Sequence, residues 1–162
     1  MDNKERVLRY LELNSKYTAR NIADAMSIDE SEVRAIIEEC EKDGTILGYK
    51  GLINWDKTSR EFVSAFIEIK VQPQKGEGFD AVAEKICAFD EVVSVHLMSG
   101  GFDLAVTIEG RTMKDVAKFV FDKLAIIDGV TATSTHFVLN KYKDKNVIFD
   151  TTEEDTRELL EI

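Results

Sequence analysis

Two runs of apolar–polar alternation, joined by a pair of glycines, constrain this chain more than any other feature. Val93, Val95 and Leu97 alternate with Ser94, His96 and Met98, while Phe102, Leu104, Val106 and Ile108 alternate with Asp103, Ala105, Thr107 and Glu109. A period of two belongs to strands, and Gly100-Gly101 between the runs predicts an antiparallel hairpin closed by a two-residue primed turn. The apolar face of each strand is expected to pack on helices. The glycines admit a second use. They leave backbone N–H groups uncovered for an anion such as a carboxylate, and Asp103 beside them is placed to hold an ammonium. A zwitterion such as a free amino acid combines both charges. Spacing alone favours a plain turn with a solvated Asp103.

The flanking patterns complete a domain. Glu61 to Val71 reads as a strand, with Val63, Ala65, Ile67 and Ile69 on one face and Phe62, Ser64, Phe66, Glu68 and Lys70 on the other. Pro73, Gly76 and Gly78 make a loop. A helix is expected from about Phe79 to Phe89, with Phe79, Val82, Ala83 and Ile86 on one side. After the hairpin, Thr112 and Asp115 form a capping-box-like start to a helix that turns Val116, Phe119, Val120 and Leu124 inward. Gly129 ends the turn. A last strand, Val130 to Leu139, has Thr131, Thr133, Thr135 and Phe137 on one face. Strand, helix, strand, strand, helix, strand predicts a four-stranded antiparallel sheet with both helices on one face, the ferredoxin-like βαββαβ arrangement. The uncovered face is expected to carry Phe66, Met98 and Phe137 among polar residues. Such a face suits a second copy, packed sheet to sheet in an isologous homodimer.

The amino-terminal third has a different period. Residues 4 to 14 read as a helix with a Val7, Leu8, Leu11 stripe. Thr18 caps a second, Ala19 to Met26, with Ile22, Ala23 and Met26 inward. Asp29 starts a third with a capping-box-like Glu32, and Val33, Ile36, Ile37 and Cys40 form its inner face before Gly44. Three short helices, the last two nearly contiguous, make a helix-turn-helix module that either enters a major groove or serves as a protein-contact unit. The expected organisation is α+β: a helix-turn-helix domain over 1–50, a connector over 51–60, the sheet domain over 61–145 and an acidic tail over 146–162.

Composition sets limits. A net charge of −10 over 162 residues argues against a protein that coats nucleic acid through bulk charge, though not against local contacts by one small module. No apolar run approaches the roughly 18 residues of a membrane span. The charged amino terminus does not read as a signal peptide, so the expectation is a cytoplasmic protein. Cys40 and Cys87 fall at apolar positions of helical patterns and read as buried thiols, with no metal spacing and no implied cofactor.

Three segments in this order resemble one family: Asp43-Gly44-Thr45-Ile46-Leu47-Gly48-Tyr49, His96-Leu97-Met98-Ser99-Gly100-Gly101-Phe102-Asp103-Leu104, and Gly129-Val130 with Thr133-Ser134-Thr135. From about Glu5 to Lys143 the chain is similar to the leucine-responsive and asparagine regulators, the Lrp/AsnC or feast/famine family. The resemblance implies a DNA-binding transcriptional regulator. Its carboxyl-terminal domain would dimerise through the sheet, assemble into tetramers or octamers, and bind an amino acid or related effector between dimers. By position, the implied effector residues are Met98, Gly100, Gly101, Asp103, Thr133 and Thr135. Gly100 would offer its N–H to a carboxylate. Asp103 would face the ammonium or frame the turn.

One departure from the family stands out. Glu38 and Glu39 occupy the half of the recognition helix that is usually basic, and Asp29 to Asp43 holds seven acidic residues against Arg34 and Lys42. Such a helix is expected to bind a phosphate backbone weakly or with unusual contacts. Ser31, Arg34 and Ala35 suit base edges, and Arg20 and Lys50 suit phosphates of double-stranded DNA. Arg34 equally suits a pair with Glu30 or Glu38 on the helix surface. Two other functions are compatible with the pattern. One is a ligand-sensing co-regulator whose head has lost DNA affinity. The other is a decarboxylase of haem precursors, a group similar in architecture. His96 and His136 are the only histidines. They fall on strands expected at opposite sheet edges, with no nucleophile–base pair, which argues against an enzyme.

Overall fold

The computed structural model describes residues 2–72 and 78–149. Pro73 and Gly76 of the expected loop, and the expected tail from Asp150 onward, lie outside the described residues. The chain divides into two compact units, one ending at Ile53 and the next beginning at Asn54.

The first unit is three helices: α1 (Asn3–Leu13), α2 (Ala19–Met26) and α3 (Glu30–Lys42). Thr18 and Asn21 form a reciprocal capping box at α2, which ends at Ser27 in a left-handed conformation with φ +56°. That residue turns the chain sharply into α3, and Gly44 (φ +78°) reverses it after α3. The expected cap on α3 is absent. Asp29 occupies the cap position, but its side chain accepts no bond there. The carbonyl of Asp29 instead receives the Glu32 and Val33 amides, which start the helix without the carboxylate. Val7, Ile22, Ala23, Met26 and Val33 are buried as one cluster, so all three helices share a single core. Beyond α3, residues 45–53 are extended and exposed for the most part, pinned at Tyr49, whose Oη donates to Glu41 at 2.9 Å.

The second unit opens on a single turn, Trp55–Lys57, where a polar linker end is expected. Asn54 caps it, and the Arg60 guanidinium lies 4.3 Å from the Trp55 ring centroid. Then come β1 (Val63–Val71), α4 (Phe79–Cys87), β2 (Val92–Leu97), β3 (Leu104–Gly110), α5 (Met113–Phe119) and β4 (Val130–Phe137). The sheet is antiparallel in the order β2-β3-β1-β4. Its helix-covered face buries Ala65, Ile67 and Ile69 of β1 with Leu104, Val106 and Ile108 of β3, against Val82 and Ile86 of α4 and Val116 and Phe119 of α5. The βαββαβ fold read from the alternation is the fold found. A hairpin of β5 (Lys143–Asp144) and β6 (Val147–Ile148) follows, and Phe149 is buried. Ordered structure thus continues past the expected boundary at 145.

Several local expectations fail for identifiable reasons. The β2–β3 turn is not a two-residue primed turn. Leu97 pairs with Leu104, the Met98 amide bonds the Asp103 carbonyl, and four residues, Ser99 to Phe102, form the loop. Gly100 has φ +153°, while Gly101 keeps an ordinary φ, so the two glycines do not share a primed conformation. The longer loop frees Phe102 from the strand alternation, and its ring packs edge-on against Phe66 on the uncovered face. In β2 a register shift leaves Val93 as an extra residue, so Val92 and Val95 meet the core while Val93 and Leu97 are exposed. Phe137 pairs with Ala65 and belongs to the helix-covered face, not the open one. Cys40 is buried as expected, but Cys87, at the last turn of α4, is exposed.

Candidate nucleic-acid interface and effector site

On α3, Val33 and Cys40 point into the core, and Ser31, Arg34, Ala35, Glu38 and Lys42 are all exposed. At roughly 100° per residue these five share the side opposite Val33. The stripe is the surface a recognition helix presents to a groove. Three of its members are the expected base-edge residues. Arg34 is engaged: its Nε donates to Glu30 Oε1 at 2.9 Å, and Nη2 reaches the same oxygen. Of the two partners considered for Arg34, the structure selects Glu30. Arg20, at the start of α2, and Lys50, in the extended segment, are exposed with no partner among the described residues.

Most of the α3 carboxylates are hydrogen-bonded from within the unit, one cation among the donors being Lys4. Lys4 Nζ lies 3.3 Å from both Glu39 and Asp43, Asn3 Nδ2 donates to Glu32 at 2.7 Å, and Tyr49 holds Glu41. Bonds from Thr45, joined by Lys4, hold the Asp43 carboxyl below its usual range, and bonds to Asp43 and Glu39 raise the Lys4 ammonium. Desolvation, with the Glu41 bond, pushes the Tyr49 phenol up.

The effector residues fall in two places. The first is the β2–β3 loop. The Ser99, Gly100 and Gly101 amides have no intramolecular partner among the described residues, and a Cβ at either glycine would meet nothing within 4 Å. Met98 is half-exposed beside them. Asp103 anchors the loop. Its Oδ2 accepts from the Val71 amide at 2.8 Å, and its own amide donates to the Ile69 carbonyl at 3.0 Å. Of the two roles open to Asp103, framing the turn is the one its contacts perform.

The second place is an open groove of about 220 Å³ on the helix-covered face. Thr133, Thr135 and Phe137 of β4 form one wall, with Ala117, Val120, Phe121 and Ala125 opposite. The opposite wall exists because α5 widens into a π turn, Val120–Leu124, closed by the Ala125 amide bonding the Val120 carbonyl at 2.8 Å. Sequence reasoning misses the α5 wall of the groove, Ala117, Val120, Phe121 and Ala125, as part of a site. The available signal is Phe121, an aromatic residue outside the inward stripe of its helix. The groove is almost wholly apolar, with two threonine hydroxyls and no charged side chain. Leu104, Ile69 and Thr133 stand in one row, so the loop root and Thr133 are two strand spacings apart, roughly 10 Å. One protomer does not bring the glycines and threonines together.

On the uncovered face, the ladder aligns Ser94, Thr107, Phe66 and His136 in one row and His96, Ala105, Glu68 and Ser134 in the next. His136 Nε2 lies 3.4 Å from Glu68 Oε1 and 3.3 Å from Ser134 Oγ. His96 is at the other edge of the sheet, as expected. Among the described residues no group of three His, Cys, Asp or Glu side chains is placed to hold a metal, and no helix is long and apolar enough to cross a membrane.

A three-helix head with a sharp turn before an exposed third helix, and a ferredoxin-like sheet with a groove beneath a π turn, together define a two-part regulator class: DNA-binding module and ligand-binding module. Comparison with known proteins agrees. Residues 2–46 match a winged helix-turn-helix DNA-binding model, and residues 64–148 match the Lrp/AsnC ligand binding domain. The chain is 45% identical to YugG of Bacillus subtilis, an uncharacterised HTH-type transcriptional regulator, covering 96% of this chain and 95% of that one. It is 24% identical to the leucine-responsive regulatory protein of Haemophilus influenzae, covering 88% and 86%. The fold matches a transcriptional regulator of Neisseria meningitidis solved as an L-Met complex, with TM-score 0.70, 21% identity and coverage of 89% and 93%. The chain belongs to the Lrp/AsnC family of transcriptional regulators. It is a regulator with a DNA-binding helix-turn-helix and a ligand-binding domain, not an enzyme.

Proposed function

We propose that this regulator acts as a homo-oligomer on double-stranded DNA in the cytoplasm and responds to a small amino-acid-like effector held where protomers meet. The observation that carries the reading is the separation of two complementary half-sites. Free amides at Ser99 to Gly101 suit a carboxylate, and the Thr133–Thr135 groove suits an apolar side chain. The loop root and Thr133 stand two strand spacings apart, roughly 10 Å, which leaves each half-site open to a partner. A second protomer supplies the missing half. The uncovered sheet face, with Phe66 and Phe102 in contact, provides a surface for the primary dimer, and the loops and grooves remain for junctions in a tetramer or octamer.

In this reading Met98, Gly100 and Gly101 receive the polar end of the effector, Asp103 keeps the loop in shape, and Thr133 and Thr135 orient the effector's side chain. Ser31, Arg34 and Ala35 face base edges while Arg20 and Lys50 face phosphates. The relative whose structure was solved with L-methionine is consistent with an apolar effector. The test combines light scattering for mass with a thermal-shift screen of the proteinogenic amino acids. A bound effector raises the midpoint by mass action. A monomer unmoved by every amino acid would refute the proposal. Retardation of duplex DNA at low and moderate salt tests the head, and its complete absence would favour a co-regulator without DNA affinity.

A further inference from the structure

We infer that Glu38 is a base-reading residue, accepting a hydrogen bond from the exocyclic amino group of a cytosine in the major groove. The inference rests on the DNA-binding reading of α3 and adds a specificity to it. Glu30, Glu32, Glu39, Glu41 and Asp43 are each held by a donor from within the unit. Glu38 has no partner among the described residues. It sits in the middle of the exposed stripe, one turn from Arg34 and Ala35 and two turns from Ser31. Three or four side chains of such a stripe reach base edges when the helix lies in the groove.

A carboxylate carried into that position loses water and meets acceptors almost everywhere. Guanine offers N7 and O6, and thymine offers O4 and a methyl group. Only cytosine N4 and adenine N6 offer donors, and adenine N6 lies next to the N7 acceptor, which repels a carboxylate. Cytosine is therefore the base that satisfies Glu38, and sites without it leave a desolvated charge unpaired. Arg34 complements this. Moving its guanidinium from Glu30 to a guanine one step away would place a donor and an acceptor of the helix against a G and a C.

The experiment selects duplexes from a randomised pool with the full-length wild-type protein. It then measures Kd on the selected duplex and on its single-base variants for wild type, Glu38→Gln and Glu38→Ala. For wild type, one position demands cytosine, and replacing it weakens binding roughly tenfold. Glu38→Ala removes that preference alone, and Glu38→Gln moves it toward adenine, whose N6 and N7 match an amide. If Glu38 only repels phosphates, Glu38→Ala tightens binding equally on every duplex and no base preference changes. That outcome overturns the inference and leaves the regulator reading intact. If no form of the protein binds any duplex, both fall together.

Discussion

Replacing Asp103 separates its two candidate roles. Its Oδ2 takes the Val71 amide at 2.8 Å, across 32 residues of sequence, and Val71 is only 8% exposed. Asp103→Ala leaves that amide without an acceptor at the edge of the core. A hydrogen bond to a charged group contributes about 1.5–3 kcal/mol, and an unmet buried donor costs a similar amount. The second unit, with about a hundred residues, shifts its midpoint by roughly 4–8 °C per kcal/mol, so Asp103→Ala is expected to melt about 6–24 °C lower. Asp103→Asn keeps a carbonyl oxygen in the same place and loses only the charge, so less than half of that shift is expected. The assay is thermal melting followed by circular dichroism, alongside the amino-acid thermal-shift screen. A residue serving only to hold an ammonium would behave otherwise: both variants would melt like wild type and both would lose the ligand response. Wild-type melting of Asp103→Ala, or equal melting of the two variants, would refute the framing role.

Other perturbations isolate other parts. Thr135→Val keeps the shape of the groove wall and removes a hydroxyl; it should reduce the effector-induced shift while leaving the unliganded midpoint within a degree or two, as melts with and without effector will report. Thr18→Ala breaks the reciprocal cap on α2 and should cost the first unit about 1 kcal/mol, read from denaturant midpoints. Glu91 is held below the usual carboxylate range by the bond from the Lys123 ammonium at 2.5 Å. A lowered folded-state value means the unfolded chain binds the proton more readily, so this pair stabilises the fold above the ordinary glutamate range, and the contribution disappears as pH falls through the lowered value. Both side chains are over a third exposed, which limits the effect to about 0.2–1 kcal/mol at neutral pH. Glu91→Gln should flatten the acid limb of stability at and below the ordinary glutamate range, measured as midpoint against pH.

What could be read in advance follows the range of the forces involved. The strand period in Val63–Val71 and Leu104–Gly110 reports burial on one side of a sheet, and Ala65, Ile67, Ile69, Leu104, Val106 and Ile108 are buried as the alternation implies. Caps with a hydroxyl at the first position, at Thr18 and Thr112, are local and legible. Asp29 is a favoured cap residue too, yet its carboxylate makes no cap bond, because the Glu32 amide it would receive bonds the Asp29 carbonyl instead. Placement of Phe102 depends on a partner, Phe66, thirty-six positions away, and no local pattern encodes it. The bulge at Val93 is likewise a property of two strands together. The α5 groove needs both a π turn and β4, so only the two threonines of its lining entered through the family resemblance. Lys4, remote in sequence, sets its one positive charge beside Glu39 and Asp43, so a charge count over α3 alone omits it.

The outermost strands, β2 and β4, share an irregularity: Val93 in one and Thr131 in the other is surplus to the ladder. Each surplus residue skews the line of free amides and carbonyls that a foreign strand would need in order to zip on. Polymerisation sideways into an endless ribbon is thereby discouraged at both borders.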